Sequence, residues 1–188
     1  LGVLYNKQGL DSAEWFLRKS LEYPAPRSEK VNAYRALSDF YIEKHALDLA
    51  LENIETGISI NLWDSKNYDD YIITEASLRN AVDPDEALSA IITKALILID
   101  QYEQTNDKSF IGEALSNLQS ADTLVNLIQQ ESSEELSRLF WRRRASEVYS
   151  RAILCAEILK KNECAFYFSE KIKALLLTEN ILNKTKKE

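Results

Sequence analysis

The 188-residue chain contains no methionine and a single histidine, His45, and only four glycines, three prolines and two cysteines interrupt or cross-link it. Each scarcity narrows the chemistry. Four scattered glycines cannot form a phosphate-cradling loop, and no stretch alternates oxygen ligands about a glycine as a calcium loop requires. Cys155 and Cys164 have no histidine near them, so they do not form a zinc pattern. Reduced, packed thiols are the expected state of both, with a disulfide between neighbouring helices as the alternative. No run of about 18 uncharged apolar residues occurs, and no basic, apolar and small-residue leader opens the chain. No membrane partner is therefore expected, and the expected compartment is the cytoplasm.

What remains favours helix. Apolar residues make up 45% and charged residues 28% of the chain, and Ala, Leu, Glu, Lys and Ser dominate. The net charge of −7 is unevenly spread: residues 1–137 hold 24 acids against 11 Lys/Arg, whereas residues 138–188 hold 6 against 12. Such asymmetry marks either a partner-facing surface or a solvated face with a basic tail, Lys184 to Lys187.

A repeat runs through this composition. Leu1, Gly2 and Tyr5 precede a turn at Gly9, after which Ala13, Leu17 and Ser20 follow at helical steps. Tyr34, Leu37, Ser38 and Tyr41 restate the first pattern, and Ala50, Ile54 and Gly57 the second. Residues three and four apart share a helix face, so each set is a stripe, and the two stripes meet as a hairpin. Small residues at Ser38, Ala50 and Gly57 are expected to let the paired helices approach, larger ones to overpack them. The spacing lies close to the 34 residues of a tetratricopeptide unit.

Residues 61–83 lack clean periodicity and read as an irregular insertion with one short helix. Asp83, Pro84 and Glu86 then give a strong helix start. Leu88, Ile91, Ala95, Leu98 and Tyr102, and after a turn Ile111, Ala114, Leu118 and Ala121, form a third hairpin. A fourth begins at a capping box, Ser132 and Glu135, and its first helix is expected to run unbroken to Lys161, about 45 Å. There Tyr149, Ala152, Ile153 and Ala156 are expected to face Ala165, Ser169 and Ile172. The expected fold is all-α, a right-handed solenoid with units near 1–24, 28–60, 84–130 and 132–183. Because the first hairpin opens partway through its first helix, the chain is expected to be an interval of a longer protein.

The first two units resemble tetratricopeptide repeats through LGVLYNKQG, Tyr34 to Tyr41 and the small residues of their second helices. Residues from about 105 to 178 resemble the repeat region that precedes the caspase-like domain of bacterial CHAT proteins. The resemblance is carried by ALSNLQSADTLVNLI, SRLFWRRRASEVYSRAI and ECAFYFSEKIKALLL, with Ala121-Asp122, Phe140-Trp141 and Glu170-Lys171-Ile172-Lys173-Ala174 at the family's positions. Ile172 stands where the family usually has serine. The resemblance implies a bacterial regulatory or recognition arm. Any protease activity would belong to a later domain that this sequence does not contain.

Residue by residue, binding is favoured over catalysis. His45 sits in a turn, and pairing it with Cys155 or Cys164 would require contact across two hairpins. No catalytic, metal or cofactor-binding residue is assigned and no cofactor is expected. The outward positions of the second unit's first helix, Asn32, Arg35, Asp39 and Glu43, are the candidate partner-binding surface. Asp39 would repel the peptide carboxylate that some repeats of this type grip. Arg138, Arg142 and Arg143, with Arg144 and Arg151, form a basic cluster beside Phe140 and Trp141, read first as intramolecular or solvated arginines and next as a site for an acidic protein partner. Nucleic-acid binding is a competing use of that cluster, disfavoured by the acids before it, and an oligomerisation scaffold is the third class. The expected partner is a protein or peptide, including the protein's own C-terminal domain.

Overall fold

A computed structural model describes residues 13–64, 72–131 and 135–185; at 131, over 135–143 and over 178–185 the helix path is described and the side chains are not. Among the described residues there are eight helices and no strand. They are α1 (Ala13–Leu21), α2 (Arg27–Glu43), α3 (Leu47–Trp63), α4 (Glu75–Arg79), α5 (Pro84–Thr105), α6 (Lys108–Glu131), α7 (Glu135–Ile158) and α8 (Asn162–Thr185). The opening residues Leu1 to Gly9 and the cap residue Ser132 lie outside the described residues.

The helix ends follow from local chemistry. Pro26 precedes α2 and Pro84 opens α5, where a missing N–H costs nothing. The Asp83 carboxylate accepts from the backbone N–H of Asp85 and Glu86, as its sequence position predicts. Asp107 accepts from the Ser109 N–H at the start of α6, which holds its carboxyl below the usual range.

Two turns are built alike. At the end of α2, His45 takes a positive φ of 57°, its N–H bonds the Ile42 carbonyl, and the Ala46 N–H reaches back to Tyr41. At the end of α7, Lys160 has φ 58°, its N–H bonds Glu157, and the Lys161 N–H reaches Ala156. Both are Schellman closures, in which a left-handed residue lets two donors satisfy the last carbonyls. This closure ends α7 at Ile158 rather than Lys161, three residues or about 4.5 Å short of the expected end.

Identical turns put the two hairpins in one register. Tyr34, Leu37 and Tyr41 occupy the same positions before the first turn as Tyr149, Ala152 and Ala156 before the second; Ala50 matches Ala165 after it. All but Tyr34 and Ala165 are buried, and those two pack half-buried against the core. Ser38 donates its hydroxyl to the Ala50 carbonyl at 2.8 Å, bonding α2 directly to α3.

Packing proceeds along the chain: α1 lies on α2, α2 on α3, α3 on α5, α5 on α6, α6 on α7 and α7 on α8. One continuous core results, filled by aliphatic residues such as Ile54, Ile58, Leu88, Ile91, Leu98, Ile111 and Leu118. Each such side chain contributes roughly 1.5–3 kcal/mol on leaving water. Two expectations about packing are corrected. Ser20 is exposed, its hydroxyl turned onto the Leu17 carbonyl, and the α1 stripe runs instead through Ala13, Leu17 and Leu21. Gly57 is not sterically obligatory: a Cβ there would meet the Tyr34 Cβ at 3.5 Å, ordinary van der Waals contact.

The insertion is also more ordered than its sequence indicates. Asn61 and Leu62 are buried and continue α3 to Trp63. The Asn61 amide donates to the Asp83 carbonyl at 3.0 Å and its oxygen accepts from the Asp83 N–H at 3.2 Å, so the two ends of the segment are tied together. Between them α4, started by a Thr74–Ser77 capping box, buries Leu78 and packs on α6 and α3. Residues 65–71, with the predicted Tyr68 and Tyr71, lie outside the described residues.

Candidate functional site

The first helices of the three described hairpins, α2, α5 and α7, lie side by side, and polar contacts bridge them. Arg35 on α2 reaches Glu86 on α5, with Nε 2.8 Å from Oε2, although that N–H misses hydrogen-bonding alignment. Arg144 on α7 donates to the Ser89 hydroxyl on α5 at 2.7 Å. At helical steps along these helices stand Asn32, Arg35, Asp39 and Glu43 on α2; Ser89, Thr93, Leu96 and Asp100 on α5; and Arg144, Glu147 and Arg151 on α7.

The predicted site residues divide on this surface. Asn32 and Glu43 are exposed. Arg35 is committed to Glu86 and lies only 3.7 Å from Asp39, so it serves as a tie between hairpins more than as a free recognition group. Asp39 keeps a raised carboxyl pKa: burial is the main cause, only partly offset by Arg35. Asp100 is raised for the same reason, then by Glu103, against a lowering by Arg151 across the surface. The surface therefore carries two solvent-reaching carboxylates whose protonation partial burial favours, an effect only partly offset by the nearby arginines. Arg138, Arg142 and Arg143 lie on α7 where side chains are outside the described residues. Of the same cluster Arg144 is described, and it is held intramolecularly.

A cleft of about 370 Å³ opens beside this surface, where the α2–α3 turn meets the end of α5 and the start of α6. His45, Asp48, Leu49, Gln101, Thr105 and Phe110 line it. Sequence reading placed His45 in its turn but missed Asp48, Gln101 and Phe110, which three separate helices bring together.

Cys155 is buried in the α7–α8 hairpin and burial pushes its thiol up to about 11, so thiolate is scarce at neutral pH. Cys164 is half-buried beside Gln119, and neither cysteine lines the His45 cleft. Among the described residues no group of three His, Cys, Asp or Glu side chains is arranged to hold a metal, and no helix is long and apolar enough to cross a membrane.

Two segments that carry the CHAT resemblance meet in space. Asp122 on α6, buried, accepts from Lys171 on α8 at 2.5 Å and from the Tyr167 hydroxyl at 2.9 Å. The Lys171 ammonium also lies over the Tyr149 and Tyr167 rings, 5.2 and 5.0 Å from their centres. Tyr149 is raised far above its usual range by burial and then by Asp122. Phe168, which periodicity did not single out, packs 5.6 Å from Tyr149 and is fully buried. Comparison with protein-family models, curated proteins and solved structures returns no match.

Proposed function

We propose that the chain is a non-enzymatic protein-interaction scaffold, a right-handed α-solenoid of tetratricopeptide-like hairpins whose concave side is the α2–α5–α7 surface. The observation that carries this reading is the shared register of the α2–α3 and α7–α8 hairpins, combined with packing that passes in order from each helix to the next. Such arrays present a preformed surface, so little ordering entropy opposes binding. The carboxylates of Asp39 and Asp100 on this surface favour a peptide or protein partner with basic side chains over a polyanion. Arg144, bonded to Ser89, is withdrawn from nucleic-acid binding.

By resemblance, the array is the repeat region upstream of a CHAT protease-like domain, and that domain is one candidate partner.

Selection of binders from a random peptide display on the whole chain tests the proposal. Binders whose affinity falls at least about ten-fold on Asp39→Lys or Asp100→Lys support it. Binding indifferent to both substitutions overturns the assigned surface. Peptide hydrolysis abolished by Cys155→Ser or Cys164→Ser would overturn the non-enzymatic reading. X-ray scattering tests the shape: a radius of gyration clearly above the roughly 16 Å of a compact chain this long is expected.

A further inference from the structure

Helix α8 presents two opposite faces. Phe168 is fully buried, and Cys164, Ala165, Ile172 and Leu175 pack beside it against the core, forming the face that meets α7. On the other side Phe166, Glu170, Lys173 and Leu177 follow one another at helical steps. At about 100° per residue these four fall within about 60° of each other, on the side turned away from Phe168. Phe166 is 66% and Leu177 64% exposed, and Leu176 flanks them at 54%. A single exposed apolar side chain is ordinary; two large ones bracketing a charge pair on one stripe make a surface.

The order of the stripe, apolar, acidic, basic, apolar, identifies what fits it. Turned end for end about a point between Lys171 and Ile172, the stripe is its own complement: position 166 falls opposite 177, and 170 opposite 173. A two-fold interface demands this property, since a residue that meets another must be met by it in return. A parallel pairing would instead set Glu170 against Glu170 and Lys173 against Lys173. Within one chain Lys173 Nζ lies 2.6 Å from Glu170 Oε1, with the two side chains 66% and 48% exposed, so each charge is open to a second pairing. We propose that a second copy of this chain docks antiparallel along α8, with Phe166 against Leu177 of the partner subunit and Glu170 against Lys173 of the partner subunit. One helix face buries far less than the roughly 1,600 Å² of a standard interface, so the dimer is weak, with a dissociation constant on the order of 100 µM. The inference goes beyond the scaffold reading and does not depend on it, because the stripe lies on α8 and the peptide surface on α2, α5 and α7.

Sedimentation equilibrium of the whole chain from about 5 to 500 µM tests the proposal. The mass is expected to rise from monomer toward dimer across this range. Leu177→Asp should weaken association about ten-fold or more, and so should Glu170→Lys or Lys173→Glu alone, each of which sets like charges against each other. An equimolar mixture of the Glu170→Lys and Lys173→Glu chains should associate more tightly than either by itself, because opposite charges then face at both contacts. Glu170→Gln tests the orientation: it removes an attraction from the antiparallel pair and should weaken it, whereas in a parallel pair it would relieve a repulsion. All these positions are exposed, and an unchanged circular dichroism spectrum verifies that each variant is folded. A chain that stays monomeric at the highest concentration overturns the proposal and leaves the stripe to a different partner. A dimer indifferent to Leu177→Asp and Glu170→Lys overturns the assigned face, and tighter association of Glu170→Gln overturns the antiparallel register. None of these outcomes touches the α2–α5–α7 surface, so the scaffold reading stands or falls by its own peptide selection.

Discussion

Lys94 and Lys171 each tie hairpins together, but in opposite surroundings. Lys94, on α5, is 1% exposed and lies 2.8 Å from Glu55 on α3 and 2.7 Å from Glu113 on α6, within an otherwise aliphatic interface. Lys171, on α8, is 23% exposed, meets one carboxylate and rests against two tyrosine rings. In the middle of the array the charge is desolvated, so it requires two anions from different helices and locks three helices in one arrangement. At the C-terminal hairpin, water and aromatic faces share the work. The central joint should therefore be intolerant of change and the terminal joint tolerant.

Substitutions can break this comparison. Lys94→Ala is expected to have the largest effect, about 3–5 kcal/mol of lost stability by urea denaturation, because it removes two ion pairs and leaves a void in place of a fully buried side chain. Lys171→Ala should cost less than half as much; equal losses would refute the contrast. Asp122→Ala should fall between them, about 2–3 kcal/mol, since it strands both Lys171 and the Tyr167 hydroxyl.

Smaller effects sharpen the picture. Gly57→Ala and Gly112→Ala should each raise stability by about 0.5–1 kcal/mol, because neither Cβ meets a tight contact and alanine is the better helix former. A loss at Gly57 would mean that α2 and α3 are packed closer than 3.5 Å allows. Smallest is Asp39→Asn. Burial raises the folded carboxyl above its ordinary 3.8, so ionisation penalises the folded state at pH 7 and the penalty fades once both states are protonated. The variant should melt higher than wild type at pH 7 and lose that advantage by about pH 3. A constant difference across this range would exclude burial of the charge as the cause.

Much of the fold was legible because helix periodicity is local. The stripes at Tyr34 to Tyr41, Ala50 to Ile54 and Leu88 to Leu98, and the start at Asp83-Pro84, depend on residues three or four apart. Lys94 left a readable signal too, a lone charge inside the apolar run from Ala87 to Ile99. The left-handed closures at His45 and Lys160 did not, since neither residue is the glycine that normally marks such a position. Asn61 could not be read as a clamp because its partner, Asp83, lies across a segment without periodicity. Among the candidate site residues, outward position on α2 was legible for Asn32, Arg35, Asp39 and Glu43. Arg35's commitment to Glu86 was not.

By itself the sequence determined helical class, the hairpin pairs and the lack of a recognisable catalytic motif, because these rest on composition and on spacings of a few residues. Only the tertiary structure decided which polar groups meet: Asp48 with Gln101, Asp122 with Lys171 and Glu55 with Glu113 through Lys94. A partner on another helix, 19 to 53 residues away in these pairs, is chosen by how helices stack, and stacking is set by side-chain volumes in the shared core, which no short spacing encodes.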